Sequence, residues 1–256
     1  MSDSKQSKTK QLNIVPIVVI IMLLVIWQMA CMFNWVPRYM LPSPLEVIKA
    51  FVSDFPLLMS HAKVTLLEAC LGLLGGIALG FICAVLMDAF PVVKKGLYPL
   101  LVISQTIPPV AIAPLLILWF SYGIAPKVIL VVMVSFFPMA VGLYDGLTSV
   151  DEDMLKLMHS MNASKLQIFV HVKFPAALTQ FFSGVRMAAA YSVVGAVISV
   201  WLGGFYGLGV YMTRVKKSMA YDKMFAVIFF VSAISLLLMA LVSAIQKKAM
   251  PWTRVR

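Results

Sequence analysis

Long stretches without a charged residue are the feature that most constrains this chain. No Asp, Glu, Lys or Arg lies between Lys10 and Arg38, and a second uncharged stretch runs from Gly96 to Pro126. About 20 consecutive apolar residues are enough to cross a bilayer as one helix. Hydrophobic residues make up 62% of the chain and charged residues 12%, whereas soluble domains have about 45–50% and about 25%. The sequence therefore predicts an all-α polytopic membrane protein.

Apolar runs predict six transmembrane helices. They form a membrane domain of residues 12–248, between a basic tail at 1–11 and a second basic tail at 249–256. The first run is too long for the core of a cleaved signal peptide, so we expect it to stay in the protein. The predicted spans cover residues 12–33, 64–86, 97–122, 128–144, 181–202 and 224–245.

The third predicted span is interrupted. Gln105-Thr106-Ile107-Pro108-Pro109 places two adjacent prolines in the middle of an uncharged run, and proline breaks the helical hydrogen-bond ladder. Inside a membrane, such a break is tolerated where protein or a water-filled cavity satisfies the freed backbone groups. We interpret it as part of a polar pathway, and the alternative is a simple proline kink. The predicted pathway residues on all spans are Glu68, Ser104, Gln105, Pro108, Pro109, Ser192 and Ser199.

The second predicted span carries a glycine stripe and one acidic residue. Gly72, Gly76 and Gly80 fall on one helix face and permit close approach of a neighbouring helix. Glu68 lies near one end of the span, where we expect it to snorkel or to pair with a cation, unless it belongs to the pathway. Arg186, near the start of the fifth span, is expected to snorkel to the interface.

Two further signals mark helices outside the spans. Ser43, Pro44 and Glu46 have the spacing of a capping box with proline at the first helical position, which predicts a short helix along the membrane surface. The glycine-rich stretch at 203–209 lacks the phosphate-loop pattern, and we interpret it as a flexible connection on the outer side.

Residues 149–175, the polar segment, form the longest polar-rich interval between spans. Capping-box spacing occurs at Ser149/Glu152 and again at Ser164/Gln167, which predicts two short helices. Asn162 between them suits a left-handed turn, and Pro175 is expected to stop the second helix. We interpret the polar segment as a rigid helix-turn-helix docking surface, and the alternative is an ordinary solvated loop.

Several function classes are not supported. The net charge of +11 reflects cations at span ends rather than a basic stripe with aromatics, so nucleic acid is not an expected partner. The histidines and cysteines show no metal-ligand spacing, and we assign the cysteines to packing. We therefore predict no catalytic residue, no metal and no cofactor on this chain. The residues concerned are His61, His159, His171, Cys31, Cys70 and Cys83.

Charge also predicts the orientation. Six spans place both termini on one side, and that side then carries more Lys and Arg than the other. Such a bias marks the cytoplasmic side. We expect a multi-pass protein of the bacterial plasma membrane, with both termini and the polar segment in the cytoplasm.

Four stretches together resemble the permease subunits of bacterial ABC importers, in the binding-protein-dependent family. The likeness is strongest to the branch that handles nitrate, taurine, alkanesulfonates and pyrimidine precursors of thiamine. The stretches are LPSPLEVIKAF at 41–51, IPPVAIAPLLILWFSYG at 107–123, FFPMAVGLYDGLTSVD at 136–151 and NASKLQIFVHVKFPAAL at 162–178. The last of these is similar to the second half of the loop in that family that docks on the ATPase.

The resemblance implies that the polar segment couples the chain to an ATPase. The implied coupling residues are Asp153, Lys156, Leu157, Met158, Asn162, Ala163, Ser164, Phe169 and Pro175. Two positions depart from the family pattern, because Lys156 stands where the family has Glu and Asn162 where it has Gly. The family often has an acid before the tryptophan that ends span five, whereas Val200 precedes Trp201 here, so no role is carried to that position.

The resemblance also implies the partners and the mechanism. The partners are two ATPase subunits that bind the ATP, a second permease copy, an extracytoplasmic substrate-binding protein and the lipid bilayer. The implied mechanism is alternating access, with a pyrimidine precursor of thiamine favoured over a sulfonate or nitrate as the solute. Two other classes stay open: a stand-alone secondary transporter or channel, which usually carries intramembrane charges, and a membrane-embedded enzyme.

Overall fold

A computed structural model of the chain describes residues 14–33, 35–37, 40–199 and 203–251. These residues form helices, with no strand among them. Five helices in this part of the chain are long and apolar enough to cross a membrane, and a bent helix pair supplies a sixth span if it is taken as one. The predicted all-helical membrane fold is confirmed. The N-terminal tail, most of the C-terminal tail, Val200 and Trp201 lie outside the described residues.

The helices follow one another with few connecting residues. In chain order they are α1 (Ile14–Met32), α2 (Pro44–Ser53), α3 (Phe55–Ala89), α4 (Pro91–Ser104), α5 (Pro109–Phe120), α6 (Ile124–Thr148), α7 (Glu152–Ser160), α8 (Lys165–Ile168), a π-helical turn (Phe169–Lys173), α9 (Phe174–Ile198), α10 (Leu208–Lys217) and α11 (Tyr221–Ala249). The predicted cap of α2 is confirmed, since the Ser43 hydroxyl accepts from the Glu46 N–H and the Glu46 carboxylate from the Ser43 N–H.

The core is the packing of α3, α6 and α9, and glycine makes it possible. A Cβ placed on Gly72 would lie 2.3 Å from the Val131 Cβ, and one on Gly76 would lie 2.7 Å from the Ser135 Cβ. The two helices are therefore at a separation that tolerates no side chain at these positions. The glycine stripe predicted from the sequence is confirmed as a packing face, and its partner is α6.

We expect Gly72→Ala to force α3 away from α6, because the added methyl group overlaps the buried Val131 side chain. Over-packing of this kind costs about 1–3 kcal/mol. The thermal unfolding temperature of the detergent-solubilised protein should fall. Gly96→Ala is the matched control, since nothing lies within 4 Å of a Cβ placed there. Equal unfolding temperatures for the two variants would contradict the packing argument.

The break predicted in the third span is confirmed. α4 and α5 meet at an angle of 103°. α4 ends at Ser104, and α5 begins with Pro109 after an extended Pro108 (φ −62°, ψ 126°). Gln105 is exposed between them. The paired prolines supply no N–H at the start of α5, where an α-helix would leave its first donors without an intrahelical acceptor.

One predicted cap in the polar segment is wrong. α6 runs to Thr148, and Ser149 donates its hydroxyl to the Gly146 carbonyl at 2.8 Å instead of capping the next helix. Asp151 caps α7, because its carboxylate accepts from the Asp153 N–H at 2.8 Å. The second predicted box is confirmed, with both Ser164–Gln167 hydrogen bonds present.

Pro175 does not stop the second helix, contrary to the prediction. α8 continues through the π-helical turn directly into α9, and residues 165–198 form one candidate span. The π-helical turn immediately precedes Pro175, so the missing N–H falls where the regular hydrogen-bond ladder is already interrupted. The helix that carries the predicted fifth span therefore begins well before residue 181.

Candidate functional site

The polar segment turns sharply at Asn162, as its sequence predicted. Asn162 has φ +57°, and its N–H donates to the His159 carbonyl at 2.9 Å, while the Ala163 N–H donates to the Met158 carbonyl at 3.0 Å. This pair of bonds is the Schellman motif, in which a left-handed residue closes the end of a helix. Asn adopts that conformation at less cost than other non-glycine residues.

An apolar surface surrounds this turn and is exposed at the end of the bundle. Met154 and Leu157 on α7 are about half exposed, and Met161 and Leu166 at the turn are 70% and 71% exposed. Exposed apolar patches of this kind mark interaction sites. Lys156 lies beside the patch and binds Asp153 at 3.0 Å, with both side chains largely in solvent. The surface can therefore dock a partner without first being uncovered.

The remaining predicted coupling residues divide by burial. Ala163 and Met158 are half-buried at the turn, whereas Ser164 is exposed. Phe169 and Pro175 lie further along the same continuous helix and are half-buried, with Phe169 stacked on Phe174. The structure thus places all nine residues on one connected segment. Its Asn162 turn is exposed, and its end at Phe169 and Pro175 is half-buried in the bundle.

A second polar site lies towards the opposite end of the bundle and is almost fully buried. The Lys127 Nζ binds one Glu68 carboxylate oxygen at 3.0 Å, and the Ser199 hydroxyl lies 3.4 Å from the other. These residues come from α3, the first turn of α6 and the end of α9, so the cluster ties together the three core helices. Glu68 is 2% exposed and Lys127 is 6% exposed.

Sequence reasoning did not single out Lys127, because it falls between the predicted spans at residues 97–122 and 128–144. Glu68 was the residue that could have indicated this pair, because an acidic residue inside a span usually pairs with a buried cation. Lys127 is the first cation after the long uncharged run that ends at Pro126. Only the packing of α3 against α6 shows that the two residues meet.

The glycine-rich connection is fastened to α3 rather than left loose, which differs from the flexible connection that we predicted. His61 Nδ1 accepts from the Gly207 N–H at 3.0 Å, and the Thr65 hydroxyl accepts from the Leu208 N–H at 2.8 Å. A Cβ on Gly204 would lie 2.9 Å from the Lys127 Nζ. The buried ion pair and this connection therefore form one packed unit.

An ion pair closer to the surface fastens the start of α3. Asp54 binds Lys223 at 2.8 Å and accepts from the Tyr211 hydroxyl at 2.7 Å. Burial acts to raise the pKa of Asp54, but the hydrogen bonds from Lys223 and Tyr211 and the Lys223 charge outweigh it, so the pKa lies below its ordinary value. This pair joins the α2–α3 junction to α10 and α11.

The other predicted pathway residues lie elsewhere. Ser104, Gln105 and Pro108 are exposed at the α4–α5 break, and Pro109 is half-buried there. Ser192 is buried within α9, where its hydroxyl donates to the Ala189 carbonyl at 2.8 Å. The structure thus brings Glu68 and Ser199 together, and it places the α4–α5 group on a separate, exposed element.

Arg186, which was expected to snorkel to the interface, is half-buried in α9. Its guanidinium donates to the Gln246 side chain, which links α9 to α11, and to the Ser183 hydroxyl within α9. The groups of His, Cys, Asp and Glu that the structure describes include none that could hold a metal ion.

Comparison with known proteins agrees with this geometry. Residues 76–251 match the family model described as the inner membrane component of binding-protein-dependent transport systems. The chain is 42% identical over 223 residues to a probable ABC transporter permease protein of Haemophilus influenzae, covering 87% of this chain and 91% of the relative. It is 35% identical over 240 residues to the formylaminopyrimidine transport permease protein ThiX of Halalkalibacterium halodurans, covering 93% and 96%.

A solved structure shares the fold. The inward-facing MetNI methionine ABC transporter superposes with a TM-score of 0.66 at 16% identity, covering 77% of this chain and 97% of that one. The fold, the family model and these relatives together show that the chain belongs to the inner membrane permease components of binding-protein-dependent ABC transport systems, in the branch that contains the formylaminopyrimidine, taurine and nitrate permeases.

Proposed function

We propose that this chain is the transmembrane permease subunit of an ATP-driven importer that moves a small solute into the cytoplasm by alternating access. The observation that carries the proposal is the exposed, apolar Asn162 turn, which is continuous through α8 with a candidate transmembrane helix. A partner that binds the exposed Asn162 turn can therefore transmit its movement through the continuous helix into the bundle. ATP hydrolysis is assigned to separate ATPase subunits.

The proposed assembly contains two permease copies, two ATPase subunits and an extracytoplasmic substrate-binding protein. The end with α7 and α8 faces the cytoplasm, together with both termini. The exposed residues Met154, Leu157, Met161 and Leu166 contact the ATPase, and Lys156 meets an acidic side chain of that partner in place of its bond to Asp153. ATP binding shifts the equilibrium between the inward-facing and outward-facing states, because the ATP-bound ATPase binds the polar segment more tightly in one state than in the other.

The proposed solute is a neutral aminopyrimidine related to the precursors of thiamine. One supporting observation is the 35% identity to a formylaminopyrimidine permease, against 25% for a taurine permease and 22% for a nitrate permease. A second is the chemistry of the predicted pathway. Ser104 and Gln105 at the exposed break are neutral groups that both donate and accept hydrogen bonds, whereas a sulfonate or nitrate anion favours a cation.

Uptake into vesicles tests this function. The permease, co-expressed with a candidate ATPase and binding protein from its own organism, is reconstituted into liposomes that contain ATP. We expect uptake of a radiolabelled formylaminopyrimidine only when all three components and ATP are present, with no competition from taurine or nitrate. Uptake driven by an ion gradient without the ATPase would instead favour the secondary transporter, and competition by taurine would reassign the solute.

Gln105→Ala should weaken transport without affecting the fold, because Gln105 is exposed at the break and donates to no described group. Loss of one hydrogen bond to a solute costs about 0.5–1.5 kcal/mol, which corresponds to an increase in KM of about 2–13-fold. Ser235→Ala is the control, since that hydroxyl only donates to the backbone of its own helix. Identical uptake kinetics in both variants would remove Gln105 from the pathway.

A further inference from the structure

The helix that leaves the Asn162 turn contains one irregularity before it enters the bundle. That irregularity is the π-helical turn Phe169–Lys173, which lies between α8 and α9. Single π-helical turns inside longer helices occur often at functional sites. This turn is also the point at which the exposed polar segment becomes a packed helix, so a displacement of the tip passes through it on the way to α9.

The last residue of the π-helical turn is bound to the end of α3. The Lys173 Nζ lies 2.6 Å from the Asp88 carboxylate, and the two side chains are 22% and 10% exposed. A pair this short and this protected from water is stronger than an exposed pair. Asp88 is the next-to-last residue of α3. After α3 the chain continues through Phe90 into α4.

Aromatic side chains reinforce the same junction. Phe174, next to Lys173, meets Phe81 of α3 edge-to-face with ring centroids 6.0 Å apart, and it stacks on Phe169 at 5.9 Å. Phe81 also contacts Phe181 of α9. The base of the polar segment is therefore held against α3 by one ion pair and a small aromatic cluster, 85 residues away in sequence.

We propose that Asp88 and Lys173 are positioning residues that transmit movement of the polar segment to α3. The inference rests on the proposed function and adds a second route for the movement. Along the chain, a displaced tip reaches α9 through α8 and α6 through α7, but it does not reach α3. Through the Lys173–Asp88 pair it also reaches α3, so that α3 and α9 move as one body with α6 between them. Without the pair, the ATPase moves α9 while α3 lags behind.

The test compares ATP hydrolysis with transport in reconstituted vesicles of the complete complex. We expect Lys173→Met and Asp88→Asn each to raise the number of ATP molecules hydrolysed per solute imported by at least threefold, with affinity for the ATPase unchanged. The charge-swapped double variant Asp88→Lys/Lys173→Asp should bring that ratio back towards the wild-type value. Lys173→Arg, which keeps the charge, should also stay close to it.

Lys223→Met is the matched control, because it removes a comparable ion pair with Asp54 at the other end of α3. We expect it to lower thermal stability without changing the ratio of ATP to solute. An unchanged ratio in the Lys173 and Asp88 variants, or an equal rise in Lys223→Met, would overturn the inference. If wild-type vesicles show no ATP-driven uptake, the proposed function itself fails. If either single variant does not fold, the swapped variant and Lys173→Arg decide the question.

Discussion

Replacing Lys127 with methionine is expected to cost about 3–5 kcal/mol of stability and to abolish transport. Removing one partner of a buried ion pair leaves the other charge without compensation, which is far costlier than removing both. Glu68 is 2% exposed and has Ser199 as its only other described partner, at 3.4 Å. The fraction of protein that elutes as a monodisperse peak after solubilisation, and its thermal unfolding temperature, measure the loss.

The double variant Glu68→Gln/Lys127→Met is the decisive control. Both charges are then absent, and we expect folding to recover most of the way. Transport by this folded variant separates two roles of Glu68. Normal uptake would restrict Glu68 to holding α3, α6 and α9 together, whereas a folded but inactive protein would support its predicted place in the pathway. A Lys127→Met single variant as stable as wild type would contradict the buried pair.

The sequence predicted best those features whose causes are local. The cap of α2 and the Ser164–Gln167 box depend on side chains within three residues of the backbone groups they satisfy, and the left-handed Asn162 depends on the conformational preference of a single residue. The broken third span belongs to this group as well, since adjacent prolines remove hydrogen bonds wherever the chain places them. Long uncharged runs are similarly local, because crossing a bilayer requires only length and apolarity.

The sequence-based predictions were least accurate where a contact distant in sequence buries a polar residue. The second span was predicted to start at residue 64, directly after Lys63, and the helix that carries it, α3, already begins at Phe55. His61 is buried there because a backbone N–H 146 residues away binds its ring nitrogen. Lys127 was left between the third and fourth predicted spans because it ends an uncharged run, and its partner Glu68 is 59 residues distant.

Pro175 shows a different limit. The residue was expected to end a helix, which is its usual effect, but a π-helical turn absorbs the missing hydrogen bond and the helix continues. No pattern in residues 165–175 distinguishes the two outcomes. Whether the helix ends or continues at Pro175 depends on the aromatic and ionic contacts that hold Lys173 and Phe174 against α3. The α3 partner of Lys173 is 85 residues away in sequence.

Asn162→Val is expected to separate ATP hydrolysis from transport. A β-branched side chain resists φ +57°, and forcing it there costs about 1–2 kcal/mol. The segment is exposed, so the chain can relieve this strain by opening the turn while the bundle stays folded. The apolar groups around it, Leu157 and Leu166 among them, then lose their fixed arrangement. We expect solute uptake to fall more than tenfold while the ATPase activity of the complex persists.

Asn162→Gly isolates the cause, because glycine adopts the left-handed conformation without strain. It removes the same amide side chain as Asn162→Val, so any direct contact of that amide with a partner is lost in both variants. We expect Asn162→Gly to keep nearly normal uptake and a normal ratio of ATP hydrolysed to solute imported. If both variants lose transport equally, the Asn162 side chain acts by contact rather than by backbone shape. If Asn162→Val transports normally, the turn does not carry the movement, and the docking surface lies elsewhere on the chain.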